Sequence, residues 1–572
     1  MNRKEFREWA KESIHLLDGS TGVALVKLKG MGGSDVPEKF IMENPDAIIS
    51  LQEEYVDSGA EIILTPTLSA TSPMLQAHGM DNHKEIVSFL CSCTKKAAKD
   101  DAYVAAELGP TGQFLVPMGM LSFDEMVDIF KEQVKYSLEQ GVDMFILETF
   151  IDLQEARCAV IAVRELCELP IIASLTFENS MTLSGNSPEC VAIALESAGA
   201  DAIGANCSSG PVEIADVISK MAKVTELPLF AKPNAGVPCV VDGETQFPMD
   251  ADEFAEKAKL LVDAGATLIG GCCGTLPEHI KLLNDKIKPL DPAKRQPVTD
   301  TYVSSASRLV KLNSDKFISI GERINPSSKK DLVESLKAKD IMAIVSMANE
   351  QSDAGADILD INVSAVKVDE EAVMKQIAAE LPVYCPTPLC FDSANIQVME
   401  QALRTYCGRA VINSASSDSE RMEDMIKLAE KYGAVIILLP FIGKADMNFE
   451  DRKQGLKKLT DCCEKYGVDK RHMLVDGVVM SVSTNTLSAK HTLEFIKWCK
   501  EQGYLTTGGV SNISFGLPQK TVINQIFLTQ MIQAGLSTGI VHMTQETRNI
   551  INASYLLSGK DEWCMNWIEE MA

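Results

Sequence analysis

Short apolar runs recur along this 572-residue chain, separated by helical patterns, and they fall into two sets of eight. The first set is SIHLLDG (13–19), EIILT (61–65), AYVAAEL (102–108), DMFILETF (143–150), PIIASLTF (170–177), DAIGANC (201–207), PLFAKPN (228–234) and TLIGGCC (267–273). The second is FISIGERIN (317–325), ADILDINV (356–363), TPLCFDS (387–393), RAVINSAS (409–416), AVIILLPF (434–441), HMLVDGVV (472–479), YLTTGGVSN (504–512) and TGIVHM (538–543). Near-continuous runs, in place of apolar–polar alternation, suit strands of a parallel sheet covered on both faces. The phrases DSGAE, EQGVD, SAGAD and DAGAT precede several of them; a glycine there ends a helix and turns the chain into the next strand. The expected class is α/β, as two consecutive (β/α)8 barrels, each of which takes ~250 residues. The first is expected over 1–285 and the second over 317–572; between them, 286–316 holds Pro289, Pro292, Pro297 and a Ser/Thr-rich segment and reads as a linker.

Polar residues close many of these runs. In the first half they are Asp18, Glu107, Glu148, Asn206–Cys207, Asn234 and Cys272–Cys273; in the second, Glu322, Asn325, Asp360, Asn362, Asp392, Asn413, Asp476 and Asn512. Barrel active sites sit at the C-terminal ends of the strands, so these are functional candidates. Taken singly, each is about as well read as a cap on the following helix.

Cys207 ends the sixth run and Cys272–Cys273 end the eighth. In a closed barrel both flank the seventh strand, so three thiols can converge on one ion. Three thiolates with a fourth position open are the pattern of a catalytic Zn²⁺, and Gly270, Gly271 and Gly274 allow the tight backbone that adjacent ligands need. Most of the 16 cysteines read as buried filler, and Cys462–Cys463 falls within a helical pattern. The net charge of -26 argues against a nucleic-acid partner. No apolar run reaches the ~20 residues of a membrane span. The polar start MNRKEFREWAKES carries no export-type segment, so reduced thiols and a cytoplasmic location are expected.

LDGSTG (17–22), GPTG (109–112), LETF (147–150), NCSSGP (206–211), KPNAG (232–236) and GGCCGT (270–275) together resemble the homocysteine S-methyltransferase family over roughly residues 10–285. The resemblance implies a zinc barrel that binds homocysteine, with Cys207, Cys272 and Cys273 as the metal ligands and Asp18 and Glu148 as substrate-contacting acids. On this reading Asp18 and Glu148 hold the substrate ammonium, and backbone N–H groups around Gly19 and Ser20 take its carboxylate. One departure is TPTLSAT (65–71), where Pro66 stands in place of the family's asparagine.

ISIGERINP (318–326), LDIN (359–362), FDS (391–393), INSAS (412–416), LVDG (474–477) and GGVSNISFGLP (508–518) resemble the pterin-binding methyltransferases, in the branch of the cobalamin-dependent methionine synthases, from about 317 to 560. A pterin edge sets donors beside an acceptor, which carboxylates and amides can match. The resemblance implies contacts from Asp392, Asn413, Asp476 and Asn512, with Glu322, Asn325, Asp360 and Asn362 around the site and 5-methyltetrahydrofolate as substrate. Ser364 stands where the family has glycine, Gly477 where it has proline, and Gln519–Lys520 where an arginine follows GLP. Lys520 is the candidate for an anionic tail, without arginine's fork. These departures leave open a different thiol acceptor or methyl donor.

A pair of this kind implies a corrinoid (methylcobalamin) carrying the methyl group between barrels. The corrinoid signature Asp-x-His-x-x-Gly does not occur around any of the seven histidines, so the carrier is expected on another module or polypeptide.

Overall fold

The computed structural model describes residues 1–241, 244–313, 316–327, 329–444 and 446–571. The chain divides into two compact units, Met1–Val298 and Thr299–Ala572.

Each unit is a (β/α)8 barrel. The first is built from β1 (His15–Leu16), β2 (Ile62–Leu64), β3 (Tyr103–Leu108), β4 (Met144–Phe150), β5 (Ile171–Leu175), β6 (Ala202–Asn206), β7 (Leu229–Lys232) and β8 (Ala266–Ile269). They form one parallel sheet in the order β1-β8-β7-β6-β5-β4-β3-β2, closed by a bridge between Leu17 and Ile62. The second contains β9 (Ile318–Ile324), β10 (Ile358–Ile361), β11 (Leu389–Asp392), β12 (Val411–Ser416), β13 (Val435–Leu439), β14 (Met473–Asp476), β15 (Leu505–Thr507) and β16 (Thr538–Val541). Its order is β15-β14-β13-β12-β11-β10-β9-β16, closed by a bridge between Gly509 and Ile540. Fifteen of the sixteen apolar runs contain one of these strands whole, and the remaining strand, β8, begins one residue before its run. Gly59, Gly141, Gly199 and Gly265, of the four helix-ending phrases, all have left-handed φ.

The acid that follows three of those glycines, and Asp357 in the matching place of the second unit, sets strand register. Glu61 accepts from Leu16 N (3.2 Å), Asp143 from Val104 N (2.8 Å), Asp201 from Ile171 N (3.0 Å) and Asp357 from Ser319 N (2.9 Å). Each acid thus satisfies a donor on the neighbouring strand at the barrel's lower rim.

The two barrels are plugged from below by different devices. In the first unit α1 (Arg3–Glu12), begun by a capping box between Asn2 and Glu5, turns Phe6 and Ala10 into the core formed by Leu17, Ile62, Ala105, Ile146, Phe230 and Leu268. In the second, an antiparallel hairpin (Tyr302–Ser304 with Leu309–Lys311) brings Val303 and Val310, with Leu312 just beyond, against Ile318, Ile320 and Ile358. Residues 286–316 therefore divide between the units: Arg295 donates to the Leu227 carbonyl (2.6 Å) in the first, while the hairpin belongs to the second. Cys462 and Cys463 lie in a helix, Phe449–Tyr466. Among the described residues, no helix is long and apolar enough to cross a membrane.

Phe6 is fully buried. Phe6→Ala should cost roughly 3–5 kcal/mol, the usual loss for a buried phenylalanine, read as a lower urea midpoint of the full chain; an unchanged midpoint would show that the plug contributes nothing.

Candidate functional site

Side chains of a parallel barrel strand alternate between interior and exterior, so an interior residue fixes the one two places on. Ala105, Ile146 and Phe230 are in the interior core. Two residues further stand Glu107, Glu148 and Lys232, which with Asp18 form a charged layer above the apolar one. The lysine lies between two of the acids: Lys232 Nζ is 3.2 Å from Asp18 Oδ1 and 3.0 Å from Glu148 Oε1, and all three side chains are at most 4% exposed. Asp18 Oδ2 also accepts from Leu64 N at 2.9 Å. Burial pushes Asp18 and Glu148 above the ordinary carboxylate range, and Lys232 opposes this. Glu107 is raised well above that range as well, by burial and then by the charge of Glu148.

Directly above this layer Cys207, Cys272 and Cys273 bring three Sγ atoms within 4.8 Å of one another. Cys207 N donates to Lys232 O (3.0 Å) and Cys272 N to Pro233 O (2.8 Å), so both strand ends are tied to the end of β7 between them. Cys207 and Ser208 both have positive φ. Asn206 holds the corner beside them: its Oδ1 accepts from Thr149 N (2.9 Å) and Ser174 Oγ (2.8 Å), and its Nδ2 donates to Thr149 Oγ1 (2.9 Å). Gly274 has φ +87°, and a Cβ on Gly271 would meet Thr275 Oγ1 at 2.4 Å, so the Cys272–Cys273 turn is built on glycine. Hydrogen bonds from the Cys272 and Cys273 thiols pull Cys207 down to about 3, and the same contacts hold Cys272 well above the thiol range. Gly19 and Ser20 form the neighbouring turn, where Ser20 N donates to Thr275 Oγ1 (3.2 Å), Ser20 Oγ to Thr275 O (2.7 Å) and Tyr55 Oη to Ser20 O (2.8 Å).

The second barrel repeats the construction with different chemistry. Ile320, Ile358, Cys390, Val411 and Leu474 are interior, and two residues on lie Glu322, Asp360, Asp392, Asn413 and Asp476. These, with Asn325 and Asn512, line a cavity of about 850 Å³. Asn362 Nδ2 donates to Asp392 Oδ2 (2.9 Å), Asn413 Nδ2 to Asp360 Oδ1 (3.2 Å) and Ser511 Oγ to Glu322 Oε2 (3.0 Å). Asp476 accepts from Val478 N at 2.6 Å, in a loop whose carbonyls at Gly477 and Val478 are held by the fully buried Arg452. Amides in place of a lysine leave the carboxylates uncompensated: burial, then the charge of Asp392, pushes Asp360 up to about 7, and burial pushes Asp476 up to about 6. Lys520 begins the helix Lys520–Ala534, exposed, with Nζ 5.7 Å from the Phe515 ring centroid and outside the cavity lining. The cations that do line the cavity include Arg323 and Lys329.

Residues 15–287 match the model of the Homocysteine S-methyltransferase family, and residues 321–542 match that of the Pterin binding enzyme family. The chain is a homocysteine S-methyltransferase domain followed by a pterin-binding domain. It is 28% identical over 563 residues to a methionine synthase of Mycobacterium tuberculosis, covering 92% of this chain and 47% of that protein. To one of Mycobacterium leprae it is 28% identical over 580 residues, with coverages of 94% and 48%. The chain thus spans about half the length of the curated relatives it matches. Among solved structures, the homocysteine methyltransferase MmuM from Escherichia coli in its metallated form is 24% identical and covers 49% of this chain and 98% of its own, at a TM-score of 0.42.

In the homocysteine S-methyltransferase domain, sequence reasoning passed over Lys232 and left Glu107 among the strand tails without a role. Lys232 was visible in KPNAG, but an isolated lysine closing an apolar run does not show what will pair with it. The alternation was the usable signal, since it places Lys232, Glu107 and Glu148 on one interior layer.

Two predictions follow from these charges. Lys232→Met leaves two buried carboxylates without their cation, which should cost roughly 3–5 kcal/mol. Orphaned carboxylates are held above their ordinary values, which penalises the fold increasingly as pH rises, so the urea midpoint should fall further at pH 8 than at pH 5; equal losses would rule this account out. Asp360 is raised likewise: its contribution favours the fold below the ordinary carboxyl range and is lost as pH rises toward about 7. Asp360→Asn should therefore raise the midpoint at pH 8 and leave it nearly unchanged at pH 4.

Proposed function

We propose that this chain binds the two substrates of a methyl relay, with 5-methyltetrahydrofolate in the second barrel and homocysteine in the first. The products are tetrahydrofolate and methionine, and a corrinoid carrier on another module or protein takes the methyl group between the barrels. In the net reaction a C–N bond of the folate breaks and a C–S bond forms. The thiol gives up its proton, and the folate nitrogen that lost the methyl takes one. The observation that carries the reading is the three-thiol cluster set on a buried acidic layer at the mouth of a homocysteine S-methyltransferase domain. The names of the matched relatives agree with it.

The thiols fit Zn²⁺: the donor set is soft, threefold and partly exposed. Cys207, Cys272 and Cys273 hold the ion, which when bound supplies a Lewis acid that lowers a coordinated thiol's pKa below its free value of ~8.5. The chain's own residues do the rest. Asp18 and Glu148 together outweigh the single charge of Lys232, so the layer beneath the thiols attracts an ammonium. The Gly19–Ser20 turn, braced by Thr275 and Tyr55, offers its backbone to the substrate carboxylate.

In the pterin-binding domain, Asp392, Asn413, Asp476 and Asn512 receive the amino-pyrimidinone edge, and Glu322, Asn325, Asp360 and Asn362 orient them. Carboxyls raised toward neutrality can donate as well as accept, which suits a ring that presents both kinds of group. An anionic tail leaving the cavity meets Arg323 and Lys329 in the lining, with Lys520 beyond. Nothing in this chemistry requires nucleic acid or a membrane, and a folate–thiol relay suits a cytoplasmic setting.

The test is zinc content together with two half-reactions: methyl transfer from methylcobalamin to homocysteine, and from 5-methyltetrahydrofolate to cob(I)alamin. Both are expected in zinc-loaded protein, and neither occurring would overturn the reading. Cys272→Ala should abolish stoichiometric zinc and the first reaction while the second stays within about twofold. Asp392→Asn should do the reverse, weakening folate binding by the roughly 1.5–3 kcal/mol of a charged hydrogen bond with zinc retained.

A further inference from the structure

The second barrel has another cavity, at the end away from its pterin-binding mouth. It measures about 380 Å³ and lies beside the start of β9 and the loop before β10, against the helix Gln545–Leu557. Arg548, Ile551, Asn552 and Tyr555, spaced i, i+3, i+4 and i+7, turn one stripe of that helix toward it. Arg308 from the plug hairpin, Lys316 just before β9 and Lys560 beyond the helix bring the cations of the wall to four, against two acids, Asp357 and Asp561. In a chain with 80 acidic and 54 basic side chains, this balance runs against the composition. Both acids serve the fold: Asp357 accepts from Ser319 N (2.9 Å) and Ser319 Oγ (2.8 Å), and Asp561 from Trp567 N (2.9 Å). Arg308 Nη2 stands 3.8 Å from Asp357 Oδ1, beyond hydrogen-bond length. Tyr555 Oη is buried with no hydrogen-bond partner among the described residues. Its ring, with those of Phe317 and Trp567, makes much of the remaining wall aromatic.

The lower end of such a barrel ordinarily serves stability, and ion pairing there would account for as many cations as acids. It does not account for a surplus of positive charge around a cavity, beside a buried hydroxyl left unpaired, which is uncommon. A positively lined concavity draws anions. Guanidinium forks match phosphate oxygens, and aromatic side chains stack on flat rings. The surplus of two charges suits a phosphate monoester, which carries about −1.5 to −2 at neutral pH. The volume falls within the ~300–1,000 Å³ of small-ligand sites. We propose that this cavity binds a small organic anion of the nucleotide type, a flat ring joined to a phosphate. Arg548 and Arg308 hold the phosphate, and Trp567 and Tyr555 flank the ring. The site is separate from both substrate sites and independent of their reading. Its occupant ties the plug hairpin to the last helices of the second barrel, so binding stabilises that unit.

Calorimetric titration of the full chain with AMP, adenosine and inorganic phosphate at constant ionic strength tests it. AMP should bind at least about tenfold tighter than adenosine or phosphate, because the joined groups lose their freedom only once on binding. Saturating AMP should also raise the urea midpoint of the wild type. Arg548→Met should weaken AMP binding by about tenfold or more, the worth of a charge-assisted hydrogen bond. Trp567→Ala keeps the backbone donor to Asp561 and should weaken it by about fivefold or more, the worth of a lost stack; it carries the comparison if the Arg548 variant does not fold. Three results would each overturn the assignment: wild type that binds no AMP, phosphate that binds as tightly as AMP, and AMP binding that stays within about twofold in every variant that folds.

Discussion

In a closed parallel barrel each strand sends alternate side chains into an interior with no route to solvent except at the two ends. A polar residue placed two positions after the last apolar interior one must therefore meet its partner inside the barrel mouth. In the first unit the sequence places acids at Asp18, Glu107 and Glu148 and answers them with one lysine. The layer is held by ion pairs. In the second unit the acids Asp360 and Asp392 are answered by the amides of Asn413 and Asn362. Without a cation their carboxyls are driven toward neutrality, which produces a surface of mixed donors and acceptors. The same geometry thus yields a layer of paired charges in one barrel and a layer of carboxyls bonded to amides in the other.

The thiol cluster depends on the same framework. Cys207 and Cys272 do not find each other through a local motif; they lie 65 residues apart. Both hang from the end of β7, through Lys232 O and Pro233 O. The strand that supplies the buried cation also supplies the backbone that sets the spacing of the thiols. A disturbance at Lys232 would therefore be felt at the cysteines above it as well as among the acids beside it.

Strand order, closure and the polar strand ends were legible because continuous apolar runs and helix-ending glycines are local signals. The convergence of Cys207 with Cys272 and Cys273 was legible too, since barrel topology puts β6 and β8 on either side of β7. The role of Lys232 was not, because a lysine that closes an apolar run can pair inward or snorkel outward, and the choice is made by Asp18 and Glu148 more than 80 residues away. The hairpin at 302–311 was hidden for another reason. Its strands are three residues each, too short for a periodic pattern, and Val303, Val310 and Leu312 acquire meaning only against the underside of the barrel. Lys520 shows the reverse case: phrase position suggested a contact that helix geometry leaves outside the cavity lining.

The departures from family pattern in the second barrel bear less on the site than their positions suggest. Ser364 replaces a glycine immediately beyond Asn362–Val363, but its hydroxyl turns away to Glu370 (2.8 Å), while its backbone N–H donates to Asn362 Oδ1 (2.9 Å). With that oxygen occupied, the amide can present only Nδ2 to Asp392, as it does. A backbone donor performs this service whatever side chain it carries, so the exchange leaves the Asn362–Asp392 pair in its working orientation. Gly477 gives up proline's rigidity at a turn that Arg452 holds instead, through the carbonyls of Gly477 and Val478. In both places the bond that orients the site residue comes from the backbone or from a buried arginine behind it, and the site's donor–acceptor pattern survives a change of residue in front.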